Sequence, residues 1–142
     1  MFSILIPSFN NLKYLKLCIQ SIKKNSKFDH QIIIHINQGQ DGSLEYVKNN
    51  NLDYTYTEEN IGMPKALNLA SKHAKFNYIL ISHDDFYFCP NWDIEFEKEI
   101  KQIGHNKFYL SGTMVGAGQV KFDAGETADS FNETKLINNL NN

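Results

Sequence analysis

Arginine is absent from this chain of 142 residues, and all 14 basic side chains are lysine. Any recognition of phosphate must therefore use lysine, backbone N–H groups or a metal ion, because the bidentate guanidinium group is missing. The net charge is −2 and the sequence pI is about 6.2, which provides no general attraction for nucleic acid or anionic lipid. We therefore expect no nucleic-acid partner.

Cysteine and long apolar runs are also scarce. The two cysteines, Cys18 and Cys89, provide neither a disulfide framework nor a pair of metal ligands, which favours a reducing compartment. No run approaches the roughly 20 apolar residues of a transmembrane helix. The first apolar run lacks preceding basic residues and stops at Pro7, so no signal peptide is predicted. We expect a cytoplasmic protein without a transmembrane segment.

Strand and helix patterns alternate along the chain. Short apolar runs predict five strands, at residues 2–6, 31–37, 53–57, 78–82 and 107–111. Apolar residues at helical spacing predict four helices, at about residues 11–25, 43–49, 62–74 and 92–103. A capping-box spacing from Ser130 predicts a last helix, whereas the glycine-rich residues 112–131 fit an irregular active-site loop or a hairpin edge. The order predicts one α/β domain with a mostly parallel sheet flanked by helices on both faces.

An acid pair follows the fourth predicted strand. Residues 78–82 run directly into His83, Asp84 and Asp85. Two carboxylates at the end of a buried strand need a partner, because desolvating unpaired charge is costly. Mg²⁺ and Mn²⁺ prefer oxygen ligands and often share them with phosphate, so either ion suits the pair. The alternative is that the two aspartates cap the next helix.

Loops that follow parallel strands share one rim of a sheet, where ligands collect. Here those loops are residues 7–10, 37–41, 59–62 and 83–85, and their amides, aromatic ring and acids suit a nucleotide diphosphate. Phe9 can stack on a base, and Asn37 can hydrogen-bond to the edge of that base. The helix start at Gly62, with Lys65, can face the phosphates. The competing interpretations place Phe9 in the core and Lys65 in solvent.

Three short motifs occur in order along the chain. The first is ILIPSFN at residues 4–10, the second is NIG at residues 60–62 with Ala66 and Asn68, and the third is SHDDF at residues 82–86 followed by Pro90. Together they resemble family 2 glycosyltransferases of GT-A fold, whose metal-binding strand end carries the DxD motif. The resemblance covers about residues 2–92, and its specificity lies in the ordered set.

The resemblance implies a nucleotide-diphosphate sugar donor, a divalent cation, Mn²⁺ or Mg²⁺, and transfer of the sugar to an acceptor hydroxyl. By the same resemblance, Ser8 and Phe9 line the nucleoside, and Lys65 lies close to the diphosphate. Asp85 matches the metal-binding aspartate, and Asp84 matches the one near the ribose or the metal. Together with the rim, the candidate nucleotide-binding residues are Pro7, Ser8, Phe9, Asn10, Asn37, Asn60, Gly62, Lys65 and Asp84, with Asp84 and Asp85 as metal ligands.

The chain departs from the family pattern at two motif positions and in its length, since it ends soon after the acid pair. His83 stands at the first acidic position, and Asn37 and Gln38 stand where the second strand usually carries an acid. Family members also carry their general base in a second half. We therefore expect residues 1–142 to be a single nucleotide-sugar-binding domain at the N-terminal end of a longer glycosyltransferase. The catalytic base is not identified; the acids of the unassigned loop are Asp123, Glu126 and Asp129.

Two other functions compete with this hypothesis. One is a non-catalytic nucleotide-sugar-binding or metal-binding module of a larger assembly. The other is a nucleotidyltransferase, which is disfavoured because no glycine-rich basic loop follows the first strand. A dinucleotide-binding fold is disfavoured because no GxGxxG motif follows that strand. The sequence leaves open the sugar, the base, the acceptor, whether glycan, lipid or protein, and the stereochemical outcome of transfer.

Overall fold

The computed structural model describes residues 1–115 and 124–140. Strands and helices alternate through them as β1 (Phe2–Phe9), α1 (Leu12–Asn25), β2 (Gln31–Asn37), α2 (Ser43–Asn49), β3 (Asp53–Thr57), α3 (Met63–Ser71), β4 (Tyr78–Ile81), α4 (Trp92–Ile103) and α5 (Glu133–Leu140). The four strands form one parallel sheet in the order β3-β2-β1-β4. The predicted alternation and the parallel sheet are confirmed.

Helices cover both faces of the sheet. Successive strand residues point to opposite faces, so Ile4 and Ile34 belong to the larger core with α1, α2 and α4. Leu5 and Ile33 pack on the other side against Ala70 of α3. Because both faces of the central strands are buried, β1 and β2 read as nearly continuous apolar runs. The predicted α/β class is confirmed.

The first strand continues through Pro7, so the prediction that it ends at residue 6 was wrong. Leu5 accepts a hydrogen bond from the N–H of Ser82, which shows that the odd-numbered residues of β1 turn their backbone groups toward β4. The paired part of β4 ends opposite Leu5, at Ile81. Proline has no N–H to donate, but at this position none is needed.

The predicted strand at residues 107–111 is also wrong, because this segment is irregular and β4 is an edge strand of the described sheet. The alternating pattern of this segment reflects side-chain packing without strand pairing. The ring of Phe108 lies 5.8 Å from the ring of Tyr78, whereas the next residue, Tyr109, is 91% exposed. On the α3 side of β4, Ile79 and Ile81 remain about half exposed, because α3 lies over β1 and β2.

The last helix begins at Glu133, where a capping pattern predicted it, but its cap differs. The side chain of Asn132 accepts a 2.8 Å hydrogen bond from the N–H of Lys135, whereas Ser130 bonds to Thr127. The capping box was predicted to start at Ser130, but the residue that caps α5 is Asn132. Of residues 112–131, the described parts are irregular and 116–123 lie outside the described residues.

Candidate functional site

The first acidic residue after β4 is held by the end of β1. Ser8 donates a 2.7 Å hydrogen bond to Asp84 Oδ2, and the side chain of Asn11 donates a 3.1 Å bond to Asp84 Oδ1. Both carboxylate oxygens of Asp84 therefore have protein partners. The capping alternative was wrong, because α4 begins only at Trp92 and Asp84 bonds elsewhere.

The two neighbouring carboxylates differ in their surroundings. Burial raises the pKa of Asp84, the bonds from Ser8 and Asn11 partly offset that shift, and the charge of Asp85 adds to it. Asp85 is exposed, and within the described residues its carboxylate has no hydrogen-bond or ion-pair partner. Asp84 thus anchors the loop, and Asp85 is the carboxylate that is open to a ligand.

One face of α1 holds the backbone on both sides of the acid pair. Cys18 donates from its sulfur to the carbonyl of His83 at 3.4 Å, and Ser21 accepts a 3.0 Å bond from the N–H of Phe88. One turn further on, Asn25 donates to the Phe88 carbonyl at 2.7 Å. These α1 residues lie three and four positions apart, so they share one helix face. The sequence analysis identified none of them as part of the site.

The buried side chain of Asn37 connects the loop after β1 to the loop after β3. Its amide donates a 3.4 Å bond to the carbonyl of Ser8 and accepts a 3.0 Å bond from the N–H of Ile61. Both Asn37 and Ser8 are buried. Their geometry suits a role in positioning the rim.

Several candidate residues remain on the surface of the rim. Phe9 is 47% exposed, so the alternative that placed it in the core was wrong. Asn10, Gly62 and Lys65 are exposed, Pro7 is half-buried, and the exposed Asn60 accepts a 3.0 Å bond from the N–H of Gly62. The surface thus combines an aromatic ring, amides and one lysine at the start of α3.

Two amide side chains bridge the first and second loops at this surface. The side chain of Asn10 donates to Gln38 Oε1 at 3.2 Å and accepts from the N–H of Gln40 at 2.9 Å. Asn10 and Gln38 both adopt positive φ, of 47° and 63°. Asparagine tolerates this region better than most residues, and the bridge holds the glutamine there.

Asp41 is a structural residue of the rim that the sequence analysis did not assign. Its Oδ2 accepts a 2.6 Å bond from the N–H of Leu12 at the start of α1, and its Oδ1 accepts from both the N–H and the hydroxyl of Ser43. Although burial opposes the shift, these bonds lower the pKa of Asp41. The Asp-Gly-Ser pattern could have predicted a cap for α2. The contact with α1 has no local signal.

The remaining acids and the histidine of the loop form no metal cage. Among residues 1–115 and 124–140 there is no group of three or more His, Cys, Asp or Glu side chains that could hold a metal. Asp129 pairs with Lys13, Glu126 is exposed, and Asp123 lies outside the described residues. His83 stacks on Phe86 with ring centroids 4.9 Å apart.

Asp85 alone nevertheless fits a magnesium or manganese ion. Such ions keep several waters and are often bound by one or two carboxylates together with substrate phosphates. An open, unpaired carboxylate beside an anchored one meets that requirement, whereas the oxygens of Asp84 already accept hydrogen bonds. The arrangement can therefore hold a cation only in company with an anionic ligand.

The sequence matches the family described as Glycosyl transferase family 2 over residues 3–136. The chain belongs to glycosyl transferase family 2. The resemblance seen in the motifs is thereby confirmed, and the match extends through α4 into α5. No curated protein sequence matches the chain significantly.

Solved structures of S. aureus TarS share the fold of this family 2 domain. TarS 1–349 has 23% identity and a TM-score of 0.65, over 89% of this chain and 41% of TarS 1–349. TarS 1–349 in complex with UDP has 24% identity and a TM-score of 0.63, over 71% of this chain and 32% of that one. The chain therefore spans less than half the length of these proteins, and the GT-A fold is the property they share.

In the described ranges, no helix combines the length and the apolarity that a membrane-crossing segment needs. The longest, α1, has 14 residues and places its buried side chains against the sheet.

Proposed function

We propose that this family 2 domain binds a nucleotide-diphosphate sugar and a divalent cation at the rim, for transfer of the sugar to an acceptor hydroxyl. The observation that carries the proposal is the contrast between Asp84 and Asp85. Asp84 is fixed by Ser8 and Asn11, while Asp85 beside it is open to solvent. A rigid support beneath an open carboxylate is what a metal-bridged diphosphate requires.

The exposed residues of the rim supply the donor contacts in this proposal. Phe9 stacks on the base, since its ring is half exposed and α1 begins only three residues later. The amides of Asn10 and Gln38 lie on the same surface and offer both donors and acceptors to a base or ribose. Lys65 and the N-terminus of α3, with Gly62 at its N-cap, face the phosphates in this proposal.

The metal site would use Asp85 as its direct protein ligand, with Asp84 as the neighbour that fixes the loop. When bound, Mn²⁺ or Mg²⁺ would neutralise charge on the leaving diphosphate. The protein residues would hold the donor in place and limit its motion before reaction at the anomeric carbon. The acceptor, whether glycan, lipid or protein, would need a base to accept its hydroxyl proton.

A second function is a donor-binding module that acts only within a larger protein. It is favoured by the acids of the C-terminal residues 124–140, because Asp129 is paired with Lys13, and Glu126 has no hydrogen-bond or ion-pair partner within the described residues. The chain also covers only 41% of TarS 1–349. In either case a cytoplasmic location agrees with the free thiols of Cys18 and Cys89.

Thermal-shift screening of the chain against UDP, GDP and their sugar conjugates, with and without Mn²⁺, tests the proposal. Binding at a hundredfold excess over the dissociation constant should stabilise the fold by about 2.7 kcal/mol. Stabilisation by one nucleotide, increased by Mn²⁺, is expected. No stabilisation by any nucleotide would overturn both functions, and a product assay with the bound donor separates the enzyme from the module.

A further inference from the structure

We infer that Glu133, at the start of α5, is a positioning residue for the acidic loop, and that it acts through Tyr87. This inference goes beyond the donor site, although its ligand readout rests on the proposed function. Glu133 lies 48 positions after Asp85 in the sequence and belongs to none of the three family motifs. Its carboxylate is nevertheless bonded to the segment that carries the acid pair.

The Glu133 carboxylate has two partners from different elements. The Tyr87 hydroxyl donates to Oε1, and the Lys24 ammonium group donates to Oε2. Hydrogen bonds to an ionised carboxylate are stronger than those between neutral groups. These bonds lower the pKa of Glu133, while burial together with Glu133 raises the pKa of Tyr87. The carboxylate is therefore ionised and the phenol is a donor at neutral pH.

Tyr87 is held on its other sides as well. Its ring lies 4.8 Å from the ring of Phe131, which precedes α5, and its hydroxyl accepts a 3.0 Å bond from the amide of Asn25. Asn25 also donates to the carbonyl of Phe88. The phenol is thus clamped between α1 and the C-terminal segment.

The bond between Tyr87 and Glu133 acts on the short, partly exposed loop that carries the acid pair. Only Phe86 separates Tyr87 from Asp85, so a displacement of the phenol is transmitted to the acid pair over two peptide units. Upstream, the loop is fixed at Asp84 by Ser8 and Asn11. Downstream, the loop is attached through Tyr87 to Glu133 and Asn25 and through Phe88 to Asn25 and Ser21. Asp85 lies between the upstream and downstream attachments.

The C-terminal segment touches α1 near the site at a second point. Asp129 pairs with Lys13, which lies two residues after Asn11, a partner of Asp84. Both lysine side chains in these pairs are largely exposed, so salt should weaken the pairs. The phenol bond to Glu133 is the attachment that should persist in salt.

Two substitutions at one position separate the hydrogen bond from the ion pair. Glu133→Ala removes the carboxylate that accepts from both Tyr87 and Lys24. Glu133→Gln keeps an acceptor for the Tyr87 hydroxyl and loses only the charge. Tyr87→Phe removes the phenol from the other side of the same bond. Glu126→Ala, an exposed carboxylate of the same segment, is the matched control.

The first readout needs no ligand. Hydrogen exchange of the amides at residues 85–88 should be faster in Glu133→Ala and Tyr87→Phe, and should stay near the wild-type rate in Glu133→Gln and Glu126→Ala. The second readout is the ratio of UDP affinity with Mn²⁺ to that without it. Loss of a supporting residue should reduce this ratio by about tenfold or more in Glu133→Ala, with rescue by Glu133→Gln.

A purely structural role predicts a different pattern. It lowers the melting temperature of Glu133→Ala but leaves the exchange at residues 85–88 and the Mn²⁺ ratio at wild-type values, and that result would overturn the inference. If the wild-type chain binds no nucleotide, the proposed function fails, and the exchange experiment alone decides whether Glu133 positions the loop.

Discussion

Ser8 and Asp84 are 76 positions apart in the sequence and are joined by a 2.7 Å hydrogen bond. The bond links the end of β1 to the loop after β4, two strands that are neighbours in the sheet. It satisfies one oxygen of a carboxylate whose pKa is raised by burial. The support of the acidic loop is therefore built from the first motif of the family pattern.

Ser8→Ala should destabilise the fold by about 1–3 kcal/mol, because it leaves a partly buried carboxylate oxygen without its donor. The same change should raise the pKa of Asp84 further. Urea unfolding checks the first effect, with the exposed Ser111→Ala as control. Equal stability of the Ser8→Ala and Ser111→Ala variants would contradict the assigned role of this bond.

Phe9→Ala should weaken UDP or GDP binding by about 1–3 kcal/mol, the contribution of one base stacked on an aromatic ring. Stability should change little, since nearly half of the ring is exposed. Calorimetry of Phe9→Ala and Phe9→Trp checks this, and the tryptophan should retain binding. A loss of stability with unchanged affinity would contradict the proposed role of Phe9 in stacking on the base.

Lys65→Ala should weaken nucleotide-diphosphate binding most at low ionic strength, because Lys65 is exposed and its charge is screened by salt. Lys72→Ala is the matched control, since Lys72 lies at the opposite end of the same helix. Titrations at two salt concentrations compare the variants. If the two lysine variants bind equally at low salt, Lys65 is a solvated surface residue.

Two histidines with buried side chains, His30 and His35, predict how stability depends on pH. Burial lowers the pKa values of His30 and His35 below 6.5, although a hydrogen bond with Asp93 opposes the shift of His30. Below pH 6.5 the unfolded chain therefore binds more protons than the folded one. The stability contribution of each histidine is complete above that pH and decreases as the pH falls toward its folded pKa.

The slope in this range is at most about 1.4 kcal/mol per pH unit for each histidine. Unfolding free energies between about pH 7.5 and pH 5.5, together with an NMR titration of the imidazoles, measure it. Folded-state pKa values of His30 and His35 at or above 6.5 would contradict the assignment.

The strands and helices that position the site were predictable because their apolar periods are local. The end of β1 was not, since the tolerance of Pro7 depends on where β4 ends. The strand predicted at 107–111 is wrong because alternation reports which side chains pack inward, and the half-buried Phe108 packs on Tyr78 without backbone pairing. A sequence period cannot distinguish a strand from an extended segment packed by its side chains.

The location of the site was predictable from the sequence, but the different roles of Asp84 and Asp85 were not. The acid pair was found from two adjacent carboxylates at a strand end, but only the contacts of Ser8 and Asn11 show that Asp84 is anchored and Asp85 is open. The double acceptor Asp41 and the phenol clamp at Glu133 depend on contacts between distant segments. No local pattern encodes such contacts.

Calorimetric titration of UDP and GDP into Asp85→Ala, with and without Mn²⁺, tests the central claim most directly. Asp29→Ala is the control, because Asp29 is an exposed aspartate just before β2. It therefore lies at the N-terminal ends of the strands, and the rim lies at their C-terminal ends. We expect Asp85→Ala to lose the Mn²⁺-dependent part of the affinity and Asp29→Ala to keep it. Unchanged Mn²⁺-dependent binding in Asp85→Ala would contradict the assignment of the metal site.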